Sequence, residues 1–176
     1  MLFDHTDGMS KTAGMTRITQ GATMGWQDFY RRRDALNAAV AQGELRPSRA
    51  FPATDDLLTA LHHRWSQRLM SRVELAFLTT DDPVDATASA WRETAADNAD
   101  LLALLDQHKL AAVLRPLIEA EHRMLAHAAG LTEPGDSAVE AASIGAAFVA
   151  LQRSTLTHPE RRNPVERLIR RLVASA

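Results

Sequence analysis

The chain contains no cysteine, and this one absence removes several chemistries together: a disulfide framework, a thiolate zinc site, an iron–sulfur cluster and a cysteine nucleophile. It also has no apolar run approaching the roughly 20 residues needed to span a bilayer, and its first 20 residues lack the apolar core of a secretory signal. A dominant charge is missing too. Twenty Lys and Arg face 22 Asp and Glu, a formal net charge of −2, so no global field draws the molecule to nucleic acid or to an anionic membrane. The expectation is a cytoplasmic protein that makes no membrane contact, with any nucleic-acid contact restricted to a local patch. Tyrosine occurs once, at Tyr30, and no segment reads as a strand. Catalytic signatures are equally scarce: no glycine-rich phosphate loop, no nucleophile elbow and no HExxH, and no His-and-acid spacing that would arm Ser66 or Ser71. No cofactor is implied. An enzyme would require residues that converge only in three dimensions.

What the chain does have is alanine and leucine in helical register, which predicts an all-α fold: a single compact bundle of about six or seven helices. Residues 1–23 mix Gly, Thr and short polar residues without apolar periodicity and read as a tail lacking fixed structure, with the helical domain over 24–176. Met9, Met15 and Met24 are each plausible start positions. The first helix is expected over 26–40 with Gly43 as its stop. Thr54, followed by Asp55 and Asp56, opens a long second helix to about residue 78. Asp82-Pro83 opens a third to about 96, and Asn98 caps a short fourth over 99–107. A fifth covers about 110–129 and stops at Gly130; Pro116 either kinks it or marks its true first turn. Ser137 with Glu140 forms a capping-box pattern for a sixth helix to about 156, and Asn163-Pro164 starts a last one.

Placing residues at 100° per step shows two polar side chains inside apolar stripes. His62 lies within the stripe Leu58, Leu61, Trp65, Leu69, Val73 and Ala76. Glu121 lies near the centre of Leu110, Leu114, Leu117, Met124, Leu125 and Ala128. A carboxylate so placed must find a partner or take up a proton. Two readings follow: His62 and Glu121 line an internal pocket with Trp65, Met124 and Leu125, holding the polar group of a small apolar ligand, or they form a structural polar pair. Glu119 and His122 have the Glu-x-x-His spacing of helical di-iron proteins, but the motif occurs once and Glu119 points away from the stripe, so no metal site is predicted.

Two basic clusters stand out. Arg31, Arg32 and Arg33 follow Trp26, Phe29 and Tyr30 and would suit a nucleic-acid surface, or simply form the solvated side of a helix. Arg161, Arg162, Arg167, Arg170 and Arg171 fall on the last helix, where they complement its dipole. In the sixth helix, AVEAASIGAAFVAL (138–151), only Glu140 is charged, so the helix needs cover on every side. Its smooth face of Ala142, Gly145, Ala146 and Val149 is the expected contact of a homodimer, with a central position in a monomer as the alternative.

Together the segments FPATDDLLTALHHRW, DPVDATASAWRETAADNADLLALL, HRMLAHAAG and SIGAAFVAL give residues 51–176 the order and texture of the C-terminal half of TetR-type transcriptional regulators, which they resemble. The resemblance implies helices enclosing a small-effector pocket and a terminal helix pair that forms a dimer. That family also has a three-helix DNA-binding head, whereas residues 1–50 offer one helix, so sequence-specific DNA reading does not carry over. The function expected is a non-enzymatic ligand-binding, regulatory or adaptor module; the alternatives are a DNA-binding regulator built on the first helix and, behind it, an enzyme with an unrecognised site.

Overall fold

The computed structural model describes residues 10–133 and 135–157, the side chains of 10–24 excepted. It is all-α, as the composition predicts: six helices, α1 (Ser10–Gln42), α2 (Thr54–Ala76), α3 (Pro83–Asp97), α4 (Ala99–Gln107), α5 (Arg115–Ala128) and α6 (Ala138–Thr157), with no strand among the described residues. The proposed last helix lies outside them.

Most boundaries follow from local chemistry. Gly43 and Gly130 both adopt φ 65°, the left-handed conformation that glycine enters without a Cβ penalty. Behind them the Glu44 N–H reaches the Ala39 carbonyl and the Leu131 N–H that of Ala126, so α1 and α5 each end in a Schellman closure. Asp82 caps α3 by accepting the N–H groups of Val84 (2.8 Å) and Asp85 (3.3 Å), with Pro83 in the first turn. The Ser137 hydroxyl accepts the Glu140 N–H at 3.2 Å, as the capping pattern requires.

Four local expectations are corrected. First, α1 begins at Ser10 rather than Trp26, so residues 10–23 are helical; that stretch contains no proline, and backbone propensity continues without an apolar stripe. Second, α5 begins at Arg115 with Pro116 in its first turn, and Leu110, read as part of its stripe, is 93% exposed. Third, Asn98 stands at the N-cap position of α4, but its side chain makes no capping bond there. Its amide closes α3 instead, donating to the Thr94 carbonyl at 2.9 Å, while its oxygen accepts from Arg68. Fourth, α2 ends at Ala76 rather than 78.

Backbone proximity groups the chain into two units, one up to Ala60 and one from Leu61 on. In the first, Phe51 is buried, its N–H and carbonyl pair with Ser48, and the Arg32 guanidinium lies 4.8 Å from its ring centroid. In the second, Leu61, Trp65, Leu69 and Val73 of α2 are buried, and Trp65 meets Trp91 of α3 edge to face, with centroids 6.5 Å apart. Arg72 ties α2 to α3 through Glu93 (2.9 Å) and Asp97 (2.6 Å).

The tightest junction joins α5 and α6. A Cβ at Gly145 would fall 1.9 Å from the His122 carbonyl oxygen, so the two backbones approach as closely as they do only because Gly145 has no side chain. This revises the expected dimer contact. Gly145 and Val149 are buried within the chain, Ala142 and Ala146 are half-buried, and α5 of the same chain occupies this face. The exposed side of α6 carries Val139, Ser143, Ala147, Ala150 and Leu151.

Candidate functional site

His62, Trp65 and Ser66 stand three and four residues apart on α2, which places them on one face of the helix. Opposite them on α5 is Glu121, whose side chain is 11% exposed against 7% for His62. Its Oε1 accepts the Trp65 indole N–H at 3.0 Å. Its Oε2 lies 3.3 Å from His62 Nε2 and 3.4 Å from Ser66 Oγ, and Ser66 Oγ lies 3.3 Å from His62 Nδ1. A buried carboxylate is tolerated when its lone pairs are met by donors, and here both oxygens are met.

The cluster satisfies itself with His62 in either protonation state. When the ring is neutral, Nε2–H donates to Glu121 and the Ser66 hydroxyl donates to Nδ1. When the ring is protonated, both nitrogens donate and the hydroxyl turns to Glu121. Ser66, His62 and Glu121 thus form a combination that the sequence spacing does not reveal. It is unsuited to acyl transfer: Ser66 sits in mid-helix, where the backbone N–H groups are engaged and offer no oxyanion donors.

His62, Trp65 and Glu121 form part of the wall of a cavity of about 340 Å³, within the size range of small-molecule sites. Apolar residues make most of the remaining wall, among them Leu102 and Leu105 of α4, Ile118 of α5 and Val149 of α6. Lys109, Asp106 and Arg153 complete it, the last two paired through both guanidinium nitrogens at 2.6 and 2.9 Å. His122 also lines it; burial is the main cause holding its imidazole below the usual value, with Arg153 acting the same way and Glu121 opposing. The arrangement supplies a half-open, mainly apolar cavity with a fixed carboxylate on one wall.

Of the five residues expected to line a pocket, the structure brings three together, His62, Trp65 and Glu121. Met124 is half-buried and Leu125 fully buried, but neither reaches the cavity. The reason is direction along α5: the cavity opens from Glu121 toward the helix N-terminus, where Ile118 and Leu114 line it, while Leu125 fills the core one turn beyond. His122 is the residue sequence reasoning missed, having been weighed only for metal spacing. Its partner in that motif, Glu119, is exposed, and among the described residues no group of three or more His, Asp or Glu is gathered to hold a metal ion.

The first helix presents Trp26, Phe29 and Tyr30 to solvent, with ring centroids 5.6–6.2 Å apart. Two of the three adjacent arginines have carboxylate partners on the same helix, Arg31 with Asp28 and Arg33 with Asp34, while Arg32 lies over Phe51. Between Gln42 and Thr54 there is no further helix. The arginines of the proposed last helix lie outside the described residues. Comparison with family models, with curated proteins and with solved structures yields no match.

Proposed function

We propose that the protein is a helical module that binds a small, largely apolar molecule in the cavity between α2, α4, α5 and α6, with the molecule's hydrogen-bond donor directed at Glu121. The observation that carries this reading is the pairing of a mainly apolar, half-open cavity of about 340 Å³ with a carboxylate fixed on its wall by Trp65, Ser66 and His62. A purely structural polar pair needs no adjoining space. The likeness of residues 51–176 to the effector half of TetR-type regulators favours the same reading and suggests a regulatory or adaptor role in a homodimer. Removal of the Val149–Gly145 face from solvent directs any such dimer to another surface.

The test uses Ala150, which lines the cavity yet is exposed, so that a large side chain can enter without disturbing the core. Fluorescence of anilinonaphthalene sulfonate, an apolar dye, is titrated against the protein and against Ala150→Trp. Saturable binding by the parent chain that is lost in the variant supports the cavity as a ligand site. Equal binding by both, or none by either, removes it.

A further inference from the structure

The connection between α4 and α5 is a succession of tight turns. The N–H of Lys109 reaches the Asp106 carbonyl at 3.4 Å, that of Ala111 the His108 carbonyl at 2.9 Å and that of Leu114 the Ala111 carbonyl at 3.0 Å. These turns set Lys109 on the lining of the Glu121 cavity, two residues beyond the end of α4. Lys109 and Ala150 are the exposed residues of that lining and so mark its mouth, whereas Glu121 lies in the covered wall beside the buried His62 and Trp65.

Four formal charges line the cavity, two of each sign, and they are unequally met. Asp106 gives both oxygens to the Arg153 guanidinium, at 2.6 and 2.9 Å. Glu121 accepts the Trp65 indole N–H and lies within reach of Ser66 and His62. The Lys109 ammonium meets no acceptor among the described residues. A lysine lays its methylene stem along apolar surface and keeps its charge at the water boundary, and here the apolar surface beneath it includes the buried Leu105, Leu114 and Val149.

That combination matches a molecule with an apolar body and one anionic group at its outer end. A phosphate ester fits less well. The guanidinium fork that would grip its oxygens is occupied by Asp106, and its charge of about −1.5 to −2 would face a single ammonium. A carboxylate brings one charge to one point cation. At the inner end, Glu121 already has donors around both oxygens, so its remaining acceptor capacity suits a hydroxyl better than an ammonium with three donors to satisfy.

We infer that the ligand of this cavity is an apolar carboxylic acid, its carboxylate held at the mouth by Lys109 and its chain running over Leu102, Leu105 and Ile118 toward Glu121. The inference rests on the reading of this cavity as a ligand site and adds the charge and the direction of the molecule in it.

The neutral dye N-phenylnaphthylamine is the probe, bound to the full chain and displaced in turn by octanoate, octanol and octylamine at fixed pH and ionic strength. Octanoate is expected to displace it at about one-tenth the concentration of octanol, the worth of one charge-assisted hydrogen bond, and octylamine at no lower concentration than octanol. Lys109→Gln should abolish the preference for acid over alcohol and Lys109→Arg should keep it, a pattern that altered packing of the cavity would not produce. Dye binding that is absent from the parent chain, or equal in Ala150→Trp, overturns the cavity reading and this inference with it. Dye that is bound by the parent and lost in Ala150→Trp isolates the present inference. It is then overturned by equal displacement by acid and alcohol, by preferential displacement by the amine, or by a preference for the acid that survives in Lys109→Gln.

Discussion

One helix, α2, shows two ways of keeping charge in a fold. On its inner side His62, Trp65 and Ser66 surround a buried carboxylate that arrives from α5, and every oxygen there has a donor at 3.0–3.4 Å. On its outer side Arg68 and Arg72 stand in water or close to it, and the partners recorded for them are a neutral amide and two acids from α3. The difference is one of dielectric. A charge removed from water must be paired completely, because an unmet partner bears the full desolvation cost, whereas solvent screens an incompletely paired cation. Inner-face substitutions should therefore be costly in stability, and outer-face substitutions should cost little.

The largest effect is expected for Trp65→Ala, which empties a fully buried indole site, leaves Trp91 without its edge-to-face partner and takes a donor from Glu121; chemical denaturation should show a loss of about 4 kcal/mol. Gly145→Ala comes next. Its methyl group would meet the His122 carbonyl, pushing α5 and with it Glu121 away from α6, at about 3 kcal/mol by the same measurement. Glu121→Leu removes the shared acceptor and orphans the Trp65 N–H, for about 2 kcal/mol, while Glu121→Gln keeps one acceptor oxygen and should recover about half of that. A gain in stability from Glu121→Leu would erase the distinction between the two faces. Arg72→Gln on the outer face should cost under about 1 kcal/mol, since its partners are exposed and screened.

The smallest expected effect is that of pH. Burial lowers the His122 pKa in the folded chain, so the unfolded chain binds the proton more readily. Its contribution to stability is thus intact above the ordinary imidazole value, about 6.5, and declines as pH falls below it. Melting temperatures measured across that interval should fall less steeply in His122→Gln than in the parent. An identical slope would show that His122 is not the titrating group.

How much of this was legible in the sequence depended on how one-sided each helix is. The stripe of α2 reads correctly because Leu61, Trp65, Leu69 and Val73 are buried and the arginines are not, so His62 stands out as a polar intruder. Glu121 stands out for the same reason on α5. Periodicity gives a direction around the helix axis, however, and not a position along it; hence Leu125 and Met124 were assigned to a cavity that lies toward Ile118 instead. Helix α6 is apolar or small on all sides, so its pattern could not tell which face meets α5. Only the 1.9 Å clash at Gly145 decides that. The role of Asn98 was hidden because an amide suits the start of one helix as well as the end of another, and geometry resolves it in favour of α3. The ion pairs of Arg72 were hidden because its acids come from α3, too far away in sequence for spacing to reveal.

The central claim is that the Glu121 cavity holds a small molecule. Native mass spectrometry of the protein purified from its own host, alongside Ala150→Trp prepared in the same way, tests it most directly. The expected spectrum of the parent chain shows a retained small-molecule mass that gentle activation releases and that the variant lacks. A parent chain with no added mass, or the same added mass on both proteins, would contradict the account.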